Sequence, residues 1–133
     1  MKKHIYVIDG NDNKFKKHLN KEVRESVCVD RKEYYHMYNI ENHEKATEIL
    51  NWIKYQINKS DFIVVNLCNG DELDELSLYE IICAYEHRKN IFVICDSLQK
   101  VIRRKTNPVV ILGIPTKTFN MFKECTDYIN DYL

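Results

Sequence analysis

Two runs, Asp61 to Leu67 (DFIVVNL) and Asn90 to Cys95 (NIFVIC), are apolar at nearly every position and show no alternation of apolar with polar. A strand with water on one face alternates, and a strand covered on both faces does not, so these runs belong inside a parallel sheet flanked by helices. His4 to Ile8 (HIYVI) is a third run of this kind, and it ends in the turn formers Asp9-Gly10-Asn11-Asp12. Parallel neighbours cannot be joined by tight turns, and the chain supplies a crossover segment between each pair of strands.

Phe15 to Arg24 reads as a helix with Phe15, Leu19 and Val23 at i, i+4 and i+8. Ser26 to Val29 is a weak second strand, followed by a polar, tyrosine-rich connection from Asp30 to Asn42 containing Tyr34, Tyr35 and Tyr38. About Glu44 to Asn58 forms the next helix, with Ala46, Ile49, Leu50, Ile53 and Ile57 on one stripe and Trp52 beside it. After the third strand comes a helix over Ser77 to His87, and after the fourth a polar basic segment from Gln99 to Asn107. A strand from Val109 to Leu112 and a helix from Thr118 to Tyr132 are expected at the end of the chain. Alternating strands and helices with right-handed crossovers give an α/β fold: a flavodoxin-like, doubly wound sheet of about five mostly parallel strands with helices on both faces. The simplest strand order is 2-1-3-4-5, with a single domain over residues 1–133 and neighbouring strands at Ile5 and Ile63.

The 20 Lys and Arg balance the 20 Asp and Glu, so no electrostatic footprint for nucleic acid or an anionic membrane is expected. The apolar run after Met1-Lys2-Lys3 is broken by Asp9, too early for a signal peptide, and no run reaches the length of a membrane span. Five cysteines, Cys28, Cys68, Cys83, Cys95 and Cys125, are odd in number and form no C-x-x-C pair. They read as free thiols of a cytoplasmic protein. The five histidines have no metal-binding spacing, so no metal is expected.

In an open parallel sheet, ligands bind beyond the carboxyl ends of the strands, at the switch point between the first and third. Asp9 to Asn13 and Asn66 to Ser77 face each other there, which brings Asp71, Glu72, Asp74, Ser77 and Glu80 into one zone. A carboxylate in such a zone can act as a nucleophile or stabilise developing positive charge, and a second acid or a tyrosine can assist the leaving group. Asp74, Asp71, Asp9 and Tyr6 are candidates for that second role by placement.

Asp74-Glu75-Leu76-Ser77-Leu78-Tyr79-Glu80-Ile81-Ile82, preceded by Ser60-Asp61 and followed by Ala84-Tyr85 and Lys89, resembles the motif of the nucleoside 2-deoxyribosyltransferase family. The resemblance covers the central third of the chain without a gap. It implies that Glu80 is the nucleophile and Asp74 a catalytic substrate ligand; by placement in the same zone, Ser77, Tyr6, Asp9, Gly10 and Asn11 are read as substrate-binding, the backbone N–H groups of Asp9 to Asp12 being able to cradle a ribose or phosphate. The implied partner is a nucleoside or nucleotide, and the chemistry requires no cofactor. This chain departs from the pattern where Leu76-Ser77 replaces Gly-Thr, where Ile82 replaces a glycine, and where Ile53 replaces an aspartate on the preceding helix. The first-strand loop of small residues is here Asp9-Gly10-Asn11-Asp12.

IYVIDGNDNKFKKHL, with SDFIVV and a glutamate-bearing helix, also resembles a TIR domain, which implies either NAD cleavage or a non-catalytic interaction module. The tryptophan-cysteine pair usual before the TIR glutamate is absent. Asp9 and Lys117 are placed as in a receiver domain, but Asn66 and Asn69 stand where a phosphoacceptor aspartate is needed.

Every candidate has a plainer reading. Asp71, Glu72, Asp74 and Glu75 suit a helix start through the helix dipole alone, and Asp9 to Asp12 suit a simple turn. For Glu80 the choice is one of rotation. With Leu78, Ile81, Ile82 and Tyr85 inward, Glu80 faces water; with Ser77, Glu80, Ile81 and Ala84 inward, Leu78, Ile82 and Tyr85 form a second apolar face. The second rotation predicts a homo-oligomer to cover that face.

Overall fold

A computed structural model describes residues 2–9, 14–34, 42–67, 74–96 and 113–133. The strands are β1 (Lys3–Ile8), β2 (Ser26–Val29), β3 (Phe62–Asn66), β4 (Asn90–Ile94) and β5 (Lys117–Phe119). They form one five-stranded sheet in the order β2-β1-β3-β4-β5, and every pairing is parallel. The expected neighbours meet, with Ile5 opposite Phe62 and Tyr6 opposite Ile63. The chain leaves β1 toward β2 on one side and returns to β3 on the other, which puts the switch point between β1 and β3.

Strand parity divides the core. Ile5, Val7, Phe62, Val64, Phe92 and Ile94 face one side, under helices α1 (Phe15–Glu22) and α4 (Phe122–Tyr132). Tyr6, Ile8, Ile63, Val65, Ile91 and Val93 face the other, under α2 (His43–Lys59) and α3 (Glu75–Glu86). Residues two apart share a face of a strand, so Tyr6 is committed to the α2/α3 side.

Helix α2 starts at Asn42, whose side chain accepts the Lys45 N–H at 3.0 Å, and it buries Ile49, Ile53 and Ile57 at intervals of four. Leu50, expected on that stripe, is exposed. It stands one residue, about 100°, round from Ile49 and falls on the flank. Trp52 is half-buried and stacks on Tyr34 with centroids 5.1 Å apart, so Tyr34 covers the α2 core. Ile53 is fully buried in that core.

One expectation is corrected. The fifth strand is Lys117–Phe119, where the last helix was expected to begin, and α4 starts only at Phe122. Phe119 is drawn into the sheet by packing against Phe92 and Tyr128, at 6.2 and 5.5 Å between centroids. Three residues are too few for periodicity to reveal. Lys117, placed after the last strand in the sequence reading, opens β5 and lies over the Tyr128 ring at 4.4 Å. Val109 to Leu112 and the basic segment Gln99 to Asn107 lie outside the described residues. Among the described residues no helix is long and apolar enough to cross a membrane.

Candidate functional site

Helix α3 settles the rotation left open by the sequence. Ser77, Glu80, Ile81 and Ala84 are buried, while Ile82 and Tyr85 are 41% and 57% exposed and Leu78 is half-buried. Ser77 and Ala84 are small, which lets the helix lie close to the sheet with Glu80 pointing beneath it. Asp74 caps the helix, its Oδ1 accepting the Ser77 N–H at 2.8 Å.

Three elements converge at the carboxyl end of the sheet: β1, the turn after β2, and α3. From β1, the Tyr6 hydroxyl donates to Oε2 of Glu80 in a short hydrogen bond. After β2, Asp30 caps a 3-10 turn over Arg31–Glu33, accepting the Lys32 N–H at 3.0 Å, and this turn projects Arg31 across to α3. Arg31 meets Asp74 through both terminal nitrogens, Nη2 to Oδ2 at 2.6 Å and Nη1 to Oδ1 at 3.1 Å. Its Nη1 also reaches Oε1 of Glu80 at 3.2 Å and the Ser77 hydroxyl at 3.3 Å. Asp9, buried at the end of β1, pairs with Lys32 at 3.4 Å.

Electrostatics follow from burial. The Glu80 side chain is 1% exposed, and burial pushes its carboxyl up to about 7 against the Arg31 charge and the Tyr6 hydrogen bond, both of which pull it down. Burial and the neighbouring Glu80 charge push the Tyr6 phenol well up, so it remains a proton donor. For Asp74, burial acts upward, but the Arg31 hydrogen bonds and the Ser77 N–H outweigh it and hold the carboxyl down at about 2. Two carboxylates close together therefore sit in different states near neutrality, one always ionised and one poised to titrate. Such separation is typical of working acid–base sites.

The space left beside Glu80 is small. A cavity of about 10 Å³ is lined by Val7, Asp9, Arg31, Lys32, Ser77 and Glu80 among others, roughly room for one water. Any ligand that reaches Glu80 must first displace something. Exposure falls from 56% at the Asp74 side chain through 14% at Arg31 to 1% at Glu80, so Arg31 lies on the way in.

Of the expected site residues, Glu80, Asp74, Ser77 and Tyr6 are brought together, and Asp9 lines the same cavity. Gly10 and Asn11 lie outside the described residues, as do Asp71, Glu72, Asn69, Cys68, Tyr35 and Tyr38. The sequence reading missed Arg31 and Lys32 inside a stretch taken as a polar connection. The available signal was their place, one and two residues past Asp30 at the carboxyl end of β2, in the ligand zone of such sheets. Among the described residues no cluster of His, Cys, Asp and Glu is arranged to hold a metal ion. Burial pushes the Cys28 thiol up to about 11 and that of Cys125 to about 12, so neither supplies a thiolate.

Solved structures share this arrangement of strands and helices. A conserved protein from Enterococcus faecalis V583 superposes with a TM-score of 0.70 at 12% identity over 100% of both chains. A 2-deoxyribosyltransferase from Bacillus psychrosaccharolyticus gives 0.65 at 15% identity, over 98% of this chain and 92% of that one. That from Leishmania mexicana gives 0.62 at 18%, over 98% and 99%. The chain has the nucleoside 2-deoxyribosyltransferase fold. No protein-family model matches the chain, and no curated protein matches it in sequence. The deoxyribosyltransferase resemblance seen around Asp74 to Lys89 thus extends to the architecture of the whole chain, whereas the TIR resemblance finds no support in these structures.

Proposed function

We propose that this deoxyribosyltransferase-like protein binds a nucleoside or nucleotide and breaks or transfers its N-glycosidic bond, with Glu80 as nucleophile. The observation that carries the reading is the Glu80 carboxylate, buried at the switch point and held between the Tyr6 hydroxyl and the Arg31 guanidinium. A carboxylate oxygen of Glu80 bonds to the anomeric carbon as the carbon–nitrogen bond breaks, and the base leaves with that electron pair and takes up a proton. Water or a second base then attacks the same carbon and releases the glutamate, giving hydrolysis or exchange. Asp74 holds the sugar or base, Ser77 supplies a supporting hydroxyl, and Asp9, Gly10 and Asn11 contribute from the first loop. The free thiols Cys28, Cys83, Cys95 and Cys125 support a cytoplasmic setting. The outward Ile82 and Tyr85 support a homo-oligomer.

The test is release of free base on long incubation with a panel of nucleosides, nucleotides and NAD, the departures at Leu76, Ile82 and Ile53 pointing to slow turnover. Glu80→Gln is expected to abolish release or exchange while keeping fold and ligand binding, because the amide cannot act as a carboxylate nucleophile. Binding without release from the native protein would make it a ligand sensor instead. Neither binding nor release would leave an interaction module on the same scaffold.

A further inference from the structure

Arg31 is outside the motif that identifies Glu80 and Asp74, yet it touches both. Its hold is asymmetric: two nitrogens engage Asp74 in a fork, and only Nη1 reaches Glu80. The fork fixes the plane of the guanidinium, and Nη1 reaches Oε1 while the Tyr6 hydroxyl donates to Oε2. The other described groups facing this place come from three elements. From β1 come Tyr6 and Asp9; from the turn after β2 come Asp30, Arg31 and Lys32; from α3 come Asp74 and Ser77. Helix α2 contributes the apolar Ile49, Ile53 and Ile57 to the core beside it. Lys32 lies against Asp9 at 3.4 Å, and Lys16 against Asp30 and Glu33 at 3.6 and 2.7 Å. Among the described residues, Arg31 is the cation that meets Glu80 directly.

We propose that Arg31 is the positioning residue of this site: anchored on Asp74, its guanidinium favours the ionised form of the buried Glu80 carboxylate and seats it against Tyr6, ready to act as a nucleophile. Burial favours the neutral acid, which cannot attack, and an opposing charge within contact distance works against it. Arginine suits the task better than lysine, since a planar fork can serve two carboxylates in fixed geometry.

The inference rests on the reading of Glu80 as nucleophile only for its catalytic consequence; the electrostatic part is tested without turnover. The titration of Glu80 is followed by carbon-13 NMR of the side-chain carboxyl, assigned by its loss in Glu80→Gln. The native midpoint is expected near 7. Arg31→Gln should move it up by about 1–3 pH units, the range for loss of an adjacent opposite charge, and Arg31→Lys should restore most of the shift. If the native protein releases base, the acidic limb of kcat/KM should move by the same amount in Arg31→Gln. An unchanged midpoint in folded Arg31→Gln would overturn the proposal and leave Arg31 a structural tie between the turn and α3. Should that variant not fold, the native protein still decides: the nitrogen-15 signals of the Arg31 guanidinium must change with the Glu80 midpoint, and signals constant from pH 5 to 9 would overturn it. Failure of base release by the native protein, with the titration as expected, would refute the nucleophile reading and not the role of Arg31 on Glu80.

Discussion

Glu80 is costly to keep, and its cost is measurable as a pH dependence of stability. Its ordinary value of 4.5 is raised to about 7 on folding, so between those values the folded state binds the proton that the unfolded chain has already released. The contribution of Glu80 to stability is then greatest below about 4.5 and is lost as pH rises toward 7, by about 1.4 kcal/mol per pH unit and ~3 kcal/mol in all. Glu80→Gln removes the titration, so its stability in urea should be nearly flat from pH 5 to 8 and exceed the native value at pH 8 by about 1–3 kcal/mol, less what Arg31 loses. A native-like slope in that variant would locate the pH dependence elsewhere. Asp74 works in the opposite sense. Held down at about 2 from 3.8, it adds stability above its ordinary value that is lost as pH falls through 2, a small effect for a half-exposed group. Asp74→Asn keeps the cap, since asparagine caps as well as aspartate, and loses the charge pairing with Arg31. Its expected signature is a raised KM and a lowered kcat with stability changed by less than about 1 kcal/mol.

At the scale of elements, α3 has two apolar faces and the sheet can cover only one. Ser77, Glu80, Ile81 and Ala84 took the inner face, which leaves Ile82 and Tyr85 outward, with the α2 residues Leu50 and Tyr55 also exposed. A dimer or larger assembly at micromolar concentration is expected by sedimentation or light scattering. The double substitution Ile82→Glu with Tyr85→Lys should yield monomers with unchanged far-ultraviolet circular dichroism. A native protein that is already monomeric would remove this account of the outer face. The same element shows why rotation was not readable from its sequence. Apolar residues stand all round the helix, so periodicity alone offers no preferred inner side.

For the whole molecule, the core beneath the site is apolar, Ile53 standing where the deoxyribosyltransferase resemblance implies an aspartate. Ile53 is fully buried among Tyr6, Ile8, Ile63 and its own helix neighbours. Ile53→Asp would bury a charge without a partner, and thermal unfolding should show a loss of at least about 3 kcal/mol or failure to fold. Native-like stability would mean that water reaches this part of the core. The parallel sheet and its strand order were legible in the sequence, because apolar runs covered on both faces admit few architectures, and so was the convergence of Tyr6, Asp74, Ser77 and Glu80 into one candidate zone. The acidic motif on α3 was legible because its residues are contiguous in the chain.

Three features belonged to the tertiary structure alone. Arg31 is 43 residues or more from Asp74 and Glu80 in sequence, and its partnership with them exists only once β2 lies beside β1. The inward turn of Glu80 was decided by what the sheet presents, a tyrosine of the right parity in β1. The fifth strand was decided by the aromatic packing of Phe119 against Phe92 and Tyr128. Local pattern determines which segments can be strands or helices, because propensity and periodicity act over a few residues. Which face is buried and which charges meet depend on contacts between segments far apart in the chain.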